Sequence, residues 1–218
     1  VKTELEKHPN VNQVDWLQSS SGYDLKVKSI SYSQLGETII PGPLVYTPLD
    51  VAVQLGSDID GEAASDQSGT SVSLSDDGTI LAIGGFSNDG NGNDAGHVRV
   101  YQWNGTDTWT QLGSDIDGEA ASDRSGKSVS LSSDGTILAI GAPLNDGNGD
   151  RSGHVRVYQY NGTTWVQLGQ DIDGEAEEDY SGTSVSLSND GTILAIGAPY
   201  NDGNGNDAGH VRVYQWNG

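Results

Sequence analysis

Cysteine and methionine are absent from this chain of 218 residues, and phenylalanine occurs only once. Without cysteine the chain can form no disulfide, no zinc–thiolate site and no thiol nucleophile. Basic residues are scarce too: ten Lys and Arg stand against 31 Asp and Glu, a formal net charge of −21. Nucleic acids and anionic membranes attract basic surfaces, so the charge argues against both as partners. No apolar run reaches the about 18 residues expected of a membrane-spanning helix.

Glycine, in contrast, is abundant, and much of it belongs to a tandem repeat. The pattern Gln-Leu-Gly starts at residues 54, 111 and 167, and His-Val-Arg-Val-Tyr starts at residues 97, 154 and 210. Successive copies of the first pattern are 57 and 56 residues apart. The extra residue falls within 104–108, which indicates a surface loop that tolerates insertion. Residues 51–218 therefore hold three copies of a unit of about 56 residues.

Each repeat contains four short strand patterns and no helical periodicity. In the first repeat Ser71–Ser75 alternates small polar and apolar residues, and Ile80–Gly84 is a continuous apolar run. Two more strands follow, His97–Trp103 and Trp109–Leu112, and turns such as Asp77-Gly78 separate the strands. Four antiparallel strands per repeat, repeated in tandem, predict an all-β fold: a β-propeller built from four-stranded antiparallel blades.

Three sequence patterns recur in the repeats: Ser-Gly-x-Ser-Val-Ser, Ile-Leu-Ala-Ile-Gly-Ala-Pro and Gly-His-Val-Arg-Val-Tyr. Together they resemble the FG-GAP repeat of integrin-α-like β-propellers over residues 51–218. Gly-Ala-Pro is present at 141–143 and 197–199, whereas the first repeat has Gly-Gly-Phe at 84–86 and Ser-Gly replaces Phe-Gly throughout. WD40 blades are the rival resemblance, although their repeat is usually about 40–45 residues long. Both resemblances imply a propeller.

Three blades are fewer than the about four to eight blades of most propellers. The third repeat lacks a fourth strand pattern, while a strand-like segment at residues 51–55 precedes the first repeat. We therefore expect segment 51–55 to complete a blade, either in a larger ring of the same protein or in a ring completed by a partner chain. A head-to-tail pair would form a ring of six blades. Open blade edges also predict self-association.

Residues 1–50 have a different composition, with four lysines against six acidic residues, so nearly all of the negative charge lies on the repeats. This part is predicted to be an N-terminal attachment or capping segment. A short capped helix turn is expected at residues 10–17 and a strand at Tyr23–Lys28. Pro41-Gly42-Pro43 should end whatever element precedes residues 44–46.

One acidic segment per repeat offers candidate calcium ligands. Carboxylates at alternating positions around a glycine meet part of the demand of Ca²⁺, which binds six to eight oxygen ligands. The alternative is a solvated connection that keeps a β-rich protein soluble. The family's own calcium loop cannot be carried over, because only a tight turn joins the first two strands here. The candidate ligands are Asp58, Asp60, Glu62 and Asp66; Asp115, Asp117, Glu119 and Asp123; and Asp171, Asp173, Glu175 and Asp179.

Other polar residues recur at fixed places in the repeats. One histidine per repeat, at 97, 154 and 210, predicts a packing contact that each blade makes once; a metal or catalytic role is the alternative and would require this position to line the central channel. The arginine two residues later lies on the same strand face and is expected to pair with an acidic residue. The second polar loop, residues 88–94, should form Asx turns. Varied residues on this constant frame, at 67, 124 and 180 and at 87, 144 and 200, suit a binding surface.

Catalytic constellations are missing from the sequence. No Gly-x-Ser-x-Gly elbow precedes a helix, and acid–base catalysis needs carboxylates in different environments, whereas these recur identically. We therefore expect a non-catalytic extracellular or surface-exposed propeller that mediates protein or glycan contacts in adhesion, with calcium stiffening it. One alternative is a structural assembly subunit whose open blade ends pair with other chains. Another is a polysaccharide hydrolase that uses carboxylates around the central channel.

Overall fold

The computed structural model describes residues 52–216 and four strands nearer the N-terminus. The chain divides into two compact units, Val1–Val53 and Gln54–Gly218. The described part of the first unit consists of two antiparallel hairpins, in which β1 pairs with β2 and β3 with β4. The four strands are Val11–Ser19 (β1), Gly22–Ile30 (β2), Tyr32–Gln34 (β3) and Glu37–Ile39 (β4).

Strand β1 shows that the helix turn expected at residues 10–17 was wrong. Val11, Val14 and Trp16 have side chains of the β-branched and aromatic types that favour extended backbone, and β2 provides the pairing partner. The expected strand at Tyr23–Lys28 is confirmed within β2. Residues 41–46 and Val51 lie outside the described residues, and the attachment or capping role of residues 1–50 stays a prediction.

The second unit contains three blades with the same strand order. In the first two, four strands form an antiparallel meander, and a two-residue fifth strand pairs with the third. Blade 1 comprises Ser71–Leu74 (β5), Ile80–Gly85 (β6), His97–Trp103 (β7), Trp109–Gln111 (β8) and Ile116–Asp117 (β9). Blade 2 comprises Ser128–Leu131 (β10), Ile137–Ala142 (β11), His154–Tyr160 (β12), Trp165–Gln167 (β13) and Ile172–Asp173 (β14). Blade 3 comprises Ser184–Leu187 (β15), Ile193–Ala198 (β16) and His210–Gln215 (β17).

The outer edge of a blade is a strand split into two pieces. In blade 1, β8 pairs with the end of β7 and β9 with its beginning, where Val98 lies opposite Ile116. The sequence predicted strand β8, whereas residues 115–117 were interpreted as part of an acidic connection between blades. That interpretation was wrong for the strand residues, because Ile116 is buried among the apolar side chains of blades 1 and 2.

Tight turns join the first two strands of each blade. The Asp77 carboxylate accepts hydrogen bonds from the hydroxyl of Ser75 and from the backbone N–H and hydroxyl of Thr79. These bonds, that of Ser75 first, lower the pKa of Asp77. Gly78 then takes a φ of 69°, the left-handed conformation that glycine adopts without a steric penalty. The predicted turn is confirmed, and it recurs at residues 132–136 and 188–192.

Neighbouring blades are packed face to face. Val98 and Val100 of blade 1 lie in one buried cluster with Val129 and Leu131 of blade 2, and an equivalent cluster joins blades 2 and 3. At Gly84 the blades approach so closely that a Cβ would overlap the backbone carbonyl of Gly126. Three blades packed in this way form part of an all-β propeller, and the described residues do not close its ring.

Residues 52–55 form no strand in this unclosed arrangement. The carbonyl of Leu55 nevertheless accepts a hydrogen bond from the indole N–H of Trp109, as the carbonyl of Leu112 does from Trp165. Leu55 thus accepts the same hydrogen bond as Leu112, the residue that follows the outer strand β8 of blade 1. Its role in completing a blade stays a prediction.

Candidate functional site

The acidic segments, residues 58–66, 115–123 and 171–179, each end in a buried aspartate. The Oδ2 atom of Asp66 accepts hydrogen bonds from the backbone N–H of Ala63 at 2.9 Å and from the Asn88 amide at 3.1 Å. Asp123 and Asp179 make the same two contacts in their repeats. These aspartates therefore tie the acidic segment to the second polar loop.

The first aspartate of each segment is held differently. The Asp115 Oδ1 atom accepts a hydrogen bond from the side chain of Gln111 at 2.6 Å, and Asp58 and Asp171 do the same with Gln54 and Gln167. At the next aspartate the backbone makes the contact, since the Asp117 carbonyl accepts a hydrogen bond from an arginine. The predicted ligands of one segment thus lie in separate settings, and their calcium role stays a prediction.

Two His–carboxylate clusters combine residues from neighbouring repeats. In cluster 1 the Nδ1 atom of His97 lies 3.7 Å from Glu62 Oε2 and 3.9 Å from Asp115 Oδ2. Cluster 2 has the same plan, with distances of 3.8 and 3.9 Å from His154 Nδ1 to Glu119 and Asp171. Within each cluster the three donor atoms lie within 4.8 Å of one another. These groups could hold a metal ion.

Burial shifts two pKa values in cluster 2. The predicted packing role of the histidines agrees with the exposure of His97 and His154, both 1%. Burial lowers the pKa of His154, and the nearby Arg156 lowers it further, so the neutral imidazole is favoured. Burial raises the pKa of Glu119. Cluster 2 therefore combines a neutral imidazole with two carboxylates in a partly dry environment.

The strand arginines pair with the acidic segments, as expected. The Nη1 atom of Arg156 lies 3.7 Å from Glu119 Oε1, and its Nη2 atom donates to the Asp117 carbonyl at 2.7 Å. Arg99 and Arg212 have the same partners in their repeats. Each arginine thus joins its strand to the acidic segment that precedes its blade.

The second polar loop contains the expected Asx turns. The side-chain oxygen of Asn88 accepts a hydrogen bond from the N–H of Gly90 at 2.8 Å, and Asp89 accepts one from the N–H of Asp94 at 2.8 Å. Equivalent bonds occur at residues 145–151 and 201–207. These side chains are therefore occupied by their own backbone.

The varied positions make a different contact in each blade, and in blades 1 and 3 the two positions contact each other. In blade 1 the Gln67 amide donates to Ser87 Oγ at 3.2 Å. In blade 3 the rings of Tyr180 and Tyr200 meet edge to face, with centroids 5.0 Å apart. In blade 2 the guanidinium of Arg124 lies over the Phe86 ring. The same place in the fold therefore carries a different surface in every repeat.

Blade 3 has a cavity of about 440 Å³ at this place, which we call the tyrosine pocket. Four of its residues depart from the other repeats: Tyr180, Tyr200, and the pair Glu177-Glu178, which stands where repeats 1 and 2 have Ala-Ser. The lining consists of Glu177, Glu178, Tyr180, Tyr200, Asp202, Asn206 and Asp207. Repeat-specific residues are thus gathered in one acidic and aromatic pocket.

The two outer faces of the three-blade array are apolar. Val211 and Val213 of blade 3 are exposed, although the equivalent valines of blades 1 and 2 are buried. Val72 and Leu74 of blade 1 are exposed, although Val129 and Leu131 at the same positions of blade 2 are buried. The exposed face of blade 3 therefore corresponds to the side of a blade that packs on the next blade. The exposed face of blade 1 corresponds to the side that receives the preceding blade.

Sequence reasoning missed two features of these sites. The histidine partner Asp115 comes from the next repeat, so spacing within one repeat could not reveal it. The Glu177-Glu178 pair, in contrast, was readable from the repeat comparison that singled out residues 67, 124 and 180. The pair was missed because the comparison was not extended to Glu177, three residues before Tyr180.

Comparison with known protein families finds a match within the second and third repeats. The model of the FG-GAP repeat family matches residues 115–158 and 172–214. A solved structure from Bacteroides uniformis, described provisionally as a 6-phosphogluconolactonase, is 15% identical with a TM-score of 0.47. The match covers 95% of this chain, and this chain spans 51% of the length of that structure. No curated protein matches the sequence. Among the described residues no helix is long and apolar enough to cross a membrane.

Proposed function

Since residues 115–158 and 172–214 are FG-GAP repeats of a β-propeller, we propose that this chain is a non-catalytic protein-interaction module at a cell or particle surface. It binds a basic segment of a partner protein through the tyrosine pocket. One observation carries this proposal: four positions at which the third repeat departs from the other two line the same cavity. Glu177, Glu178 and Tyr200 are exposed and Tyr180 is half-buried, so none of these departures fills the buried core.

The chemistry of the pocket selects a cation. Glu177, Glu178, Asp202 and Asp207 surround the cavity with carboxylates, and the two tyrosines add aromatic rings. A lysine or arginine side chain can pair with the carboxylates and lie against a ring. The net charge of −21 would also steer a basic partner toward the protein.

A peptide titration tests the proposal. The probe is a short arginine-containing peptide, and the control probe carries citrulline, which keeps the shape but loses the charge. The double variant Glu177→Ala/Glu178→Ser restores the residues of repeats 1 and 2, so its blade should fold. We expect at least a tenfold weaker affinity for this variant and for Tyr200→Ala, measured by calorimetry, at about 1.4 kcal/mol per tenfold.

The matched control is Gln67→Ala, because Gln67 occupies in blade 1 the position that Tyr180 occupies in blade 3. This substitution should leave the affinity unchanged. Equal binding of the arginine and citrulline peptides would contradict a cation site. Binding of a neutral oligosaccharide that the tyrosine variant abolishes would assign the pocket to a glycan instead.

A second candidate function is assembly, favoured by the two complementary apolar faces. The face that carries Val211 and Val213 matches the side of blade 1 that packs on blade 2, and the face that carries Val72 and Leu74 matches the side of blade 2 that it meets. A second copy can therefore add head to tail through a heterologous interface. Exposed apolar patches of this kind mark protein interfaces.

Light scattering of the intact chain tests the assembly. Wild-type protein should have the mass of two chains, and either Val213→Asp or Val72→Asp should reduce it. Val166→Asp, an exposed valine on the outer strand β13, should have no effect. A wild-type mass of one chain at all concentrations would contradict the assembly.

Three finer expectations stay predictions: adhesion, calcium stiffening and the alternative of a polysaccharide hydrolase. A melting temperature that falls on addition of a calcium-selective chelator would support the second. Polysaccharide cleavage that a single Asp→Asn substitution abolishes would establish the third.

A further inference from the structure

We propose that the two His–carboxylate clusters each bind one divalent transition-metal ion of the zinc class. Glu62, His97 and Asp115 would hold the first ion, and Glu119, His154 and Asp171 the second. Each ion would tie together the segment that enters a blade, the third strand of that blade and its outer edge. These sites share four carboxylates with the candidate calcium ligands, but each joins carboxylates of two successive acidic segments and adds an imidazole nitrogen.

The spacing of the donor atoms fits such an ion. A tetrahedral site with metal–ligand bonds of about 2.1 Å places its ligand atoms about 3.4 Å apart. In cluster 1 the His97 Nδ1 atom is 3.7 and 3.9 Å from the two carboxylate oxygens. Small side-chain movements therefore suffice to bring the three ligands into bonding positions.

A buried nitrogen without a partner points to a ligand in cluster 1. The side chain of His97 is only 1% exposed. Its Nδ1 atom is inaccessible to solvent and has no hydrogen-bond partner within the protein. Buried polar atoms are nearly always paired, so an unpaired one requires an explanation. A metal bond would satisfy this atom, whereas the Nε2 atom of the same ring is buried without a partner as well, as is Nε2 of His154.

The carboxylates are aimed by other side chains. Asp115 accepts the Gln111 hydrogen bond on Oδ1 and turns Oδ2 toward His97. Glu62 has Oε1 nearer to Arg99 and Oε2 nearer to His97. Asp115 therefore keeps one oxygen on a hydrogen-bond donor, Glu62 has one oxygen 3.9 Å from an arginine, and both direct the other oxygen into the cluster, as supporting groups do around metal ligands. Cluster 2 repeats this arrangement with Gln167 and Arg156.

The donor set discriminates between metals. Calcium binds six to eight oxygens, whereas each cluster offers two carboxylates and one imidazole nitrogen. Imidazole with carboxylate in a small tetrahedral site suits zinc and its neighbours in the first transition row. Blade 3 supplies a natural comparison, because Glu175 and His210 form a pair at 3.6 Å that no third described carboxylate joins.

Native mass spectrometry of the intact chain tests the proposal. Protein stripped with a chelator and then mixed with Zn²⁺ should retain two ions per chain. The substitution Asp115→Asn keeps an acceptor for Gln111 but removes a charged ligand, so it should reduce the count to one. The double variant Asp115→Asn/Asp171→Asn should retain none, while the control Asp117→Asn, two residues away in the same segment, should retain two.

A spectroscopic readout separates the site from surface binding. Co²⁺ in place of Zn²⁺ should give visible absorption of a tetrahedral site that is halved in Asp115→Asn, and Ca²⁺ in equal amount should not displace it. The melting temperature without metal should be unchanged in Asp115→Asn, which shows that the variant folds. Zinc retained by the double variant, no zinc retained by the wild type, or displacement of Co²⁺ by Ca²⁺ would each overturn the proposal.

Discussion

Blade 2 and blade 3 have nearly the same sequence but very different surroundings. Val155 in blade 2 is 0% exposed, and Val211 at the same position of blade 3 is 67% exposed. The histidines one residue earlier follow the same trend, at 1% and 25%. The burial of a residue in this array is therefore decided by the neighbouring blade and not by the residue's own repeat, as expected where repeats contact only their neighbours.

The largest effect expected from this difference concerns the first strand of a blade. Leu131 in blade 2 is 7% exposed, whereas Leu74 in blade 1 is 56% exposed. Leu131→Ala should lower the free energy of unfolding by about 3 kcal/mol, since it removes a buried side chain and leaves a cavity. Leu74→Ala should change it by less than about 0.5 kcal/mol, as exposed substitutions usually do. Urea denaturation of the two variants measures both values.

The protein concentration offers a control for this pair. If copies assemble head to tail, Leu74 becomes buried in the assembly, and Leu74→Ala should destabilise the protein only at concentrations where it associates. Equal losses for both leucines in the dilute protein would contradict the exposed setting of blade 1.

The blades could be predicted because each strand is bounded by local signals. The turn Asp77-Gly78 separates two strands, and the apolar run at residues 80–84 is too short for a helix. Strand β9 was missed because two residues carry no period, and its pairing with Val98 depends on a distant strand. The His–carboxylate clusters were missed for a similar reason, since Asp115 reaches His97 only after the outer edge folds back.

The helix turn expected at residues 10–17 was wrong for a different reason. An asparagine before an apolar residue resembles a helix cap, but the pairing of β1 with β2 overrides so weak a local preference. The acidic segments carry two patterns at once, and the calcium role predicted for them stays a prediction. Their alternating carboxylates reflect a strand with Ile116 facing inward, and alternation of this kind is also the pattern of a calcium loop.

The second expected difference concerns the strand arginines. The Arg156 side chain is 7% exposed and donates to the Asp117 carbonyl, whereas Arg212 is 20% exposed. Arg156→Gln should cost about 2 kcal/mol, because it leaves a carbonyl and part of Glu119 without a charged partner. Arg212→Gln should cost about half as much, since water can replace more of its contacts. Thermal denaturation at neutral pH compares them, and equal losses would contradict the difference in solvent access.

The smallest expected effect appears at alkaline pH. Burial raises the pKa of Tyr158 to about 12 from its usual 10. Between these values the unfolded chain loses the phenolic proton while the folded blade keeps it, so stability falls as the pH rises. From these two pKa values the loss is about 1.3 kcal/mol at pH 11, relative to pH 9.

The substitution Tyr158→Phe removes this titration, so its free energy of unfolding should fall less than that of the wild type between pH 9 and pH 11. Tyr214→Phe controls for the loss of a hydroxyl at the same position of blade 3, where the ring is partly exposed. Urea denaturation at each pH measures the differences. A slope for Tyr158→Phe as steep as that of the wild type would mean that the neighbouring blade does not desolvate this phenol, and the contrast between inner and outer blades would then stop at the apolar side chains.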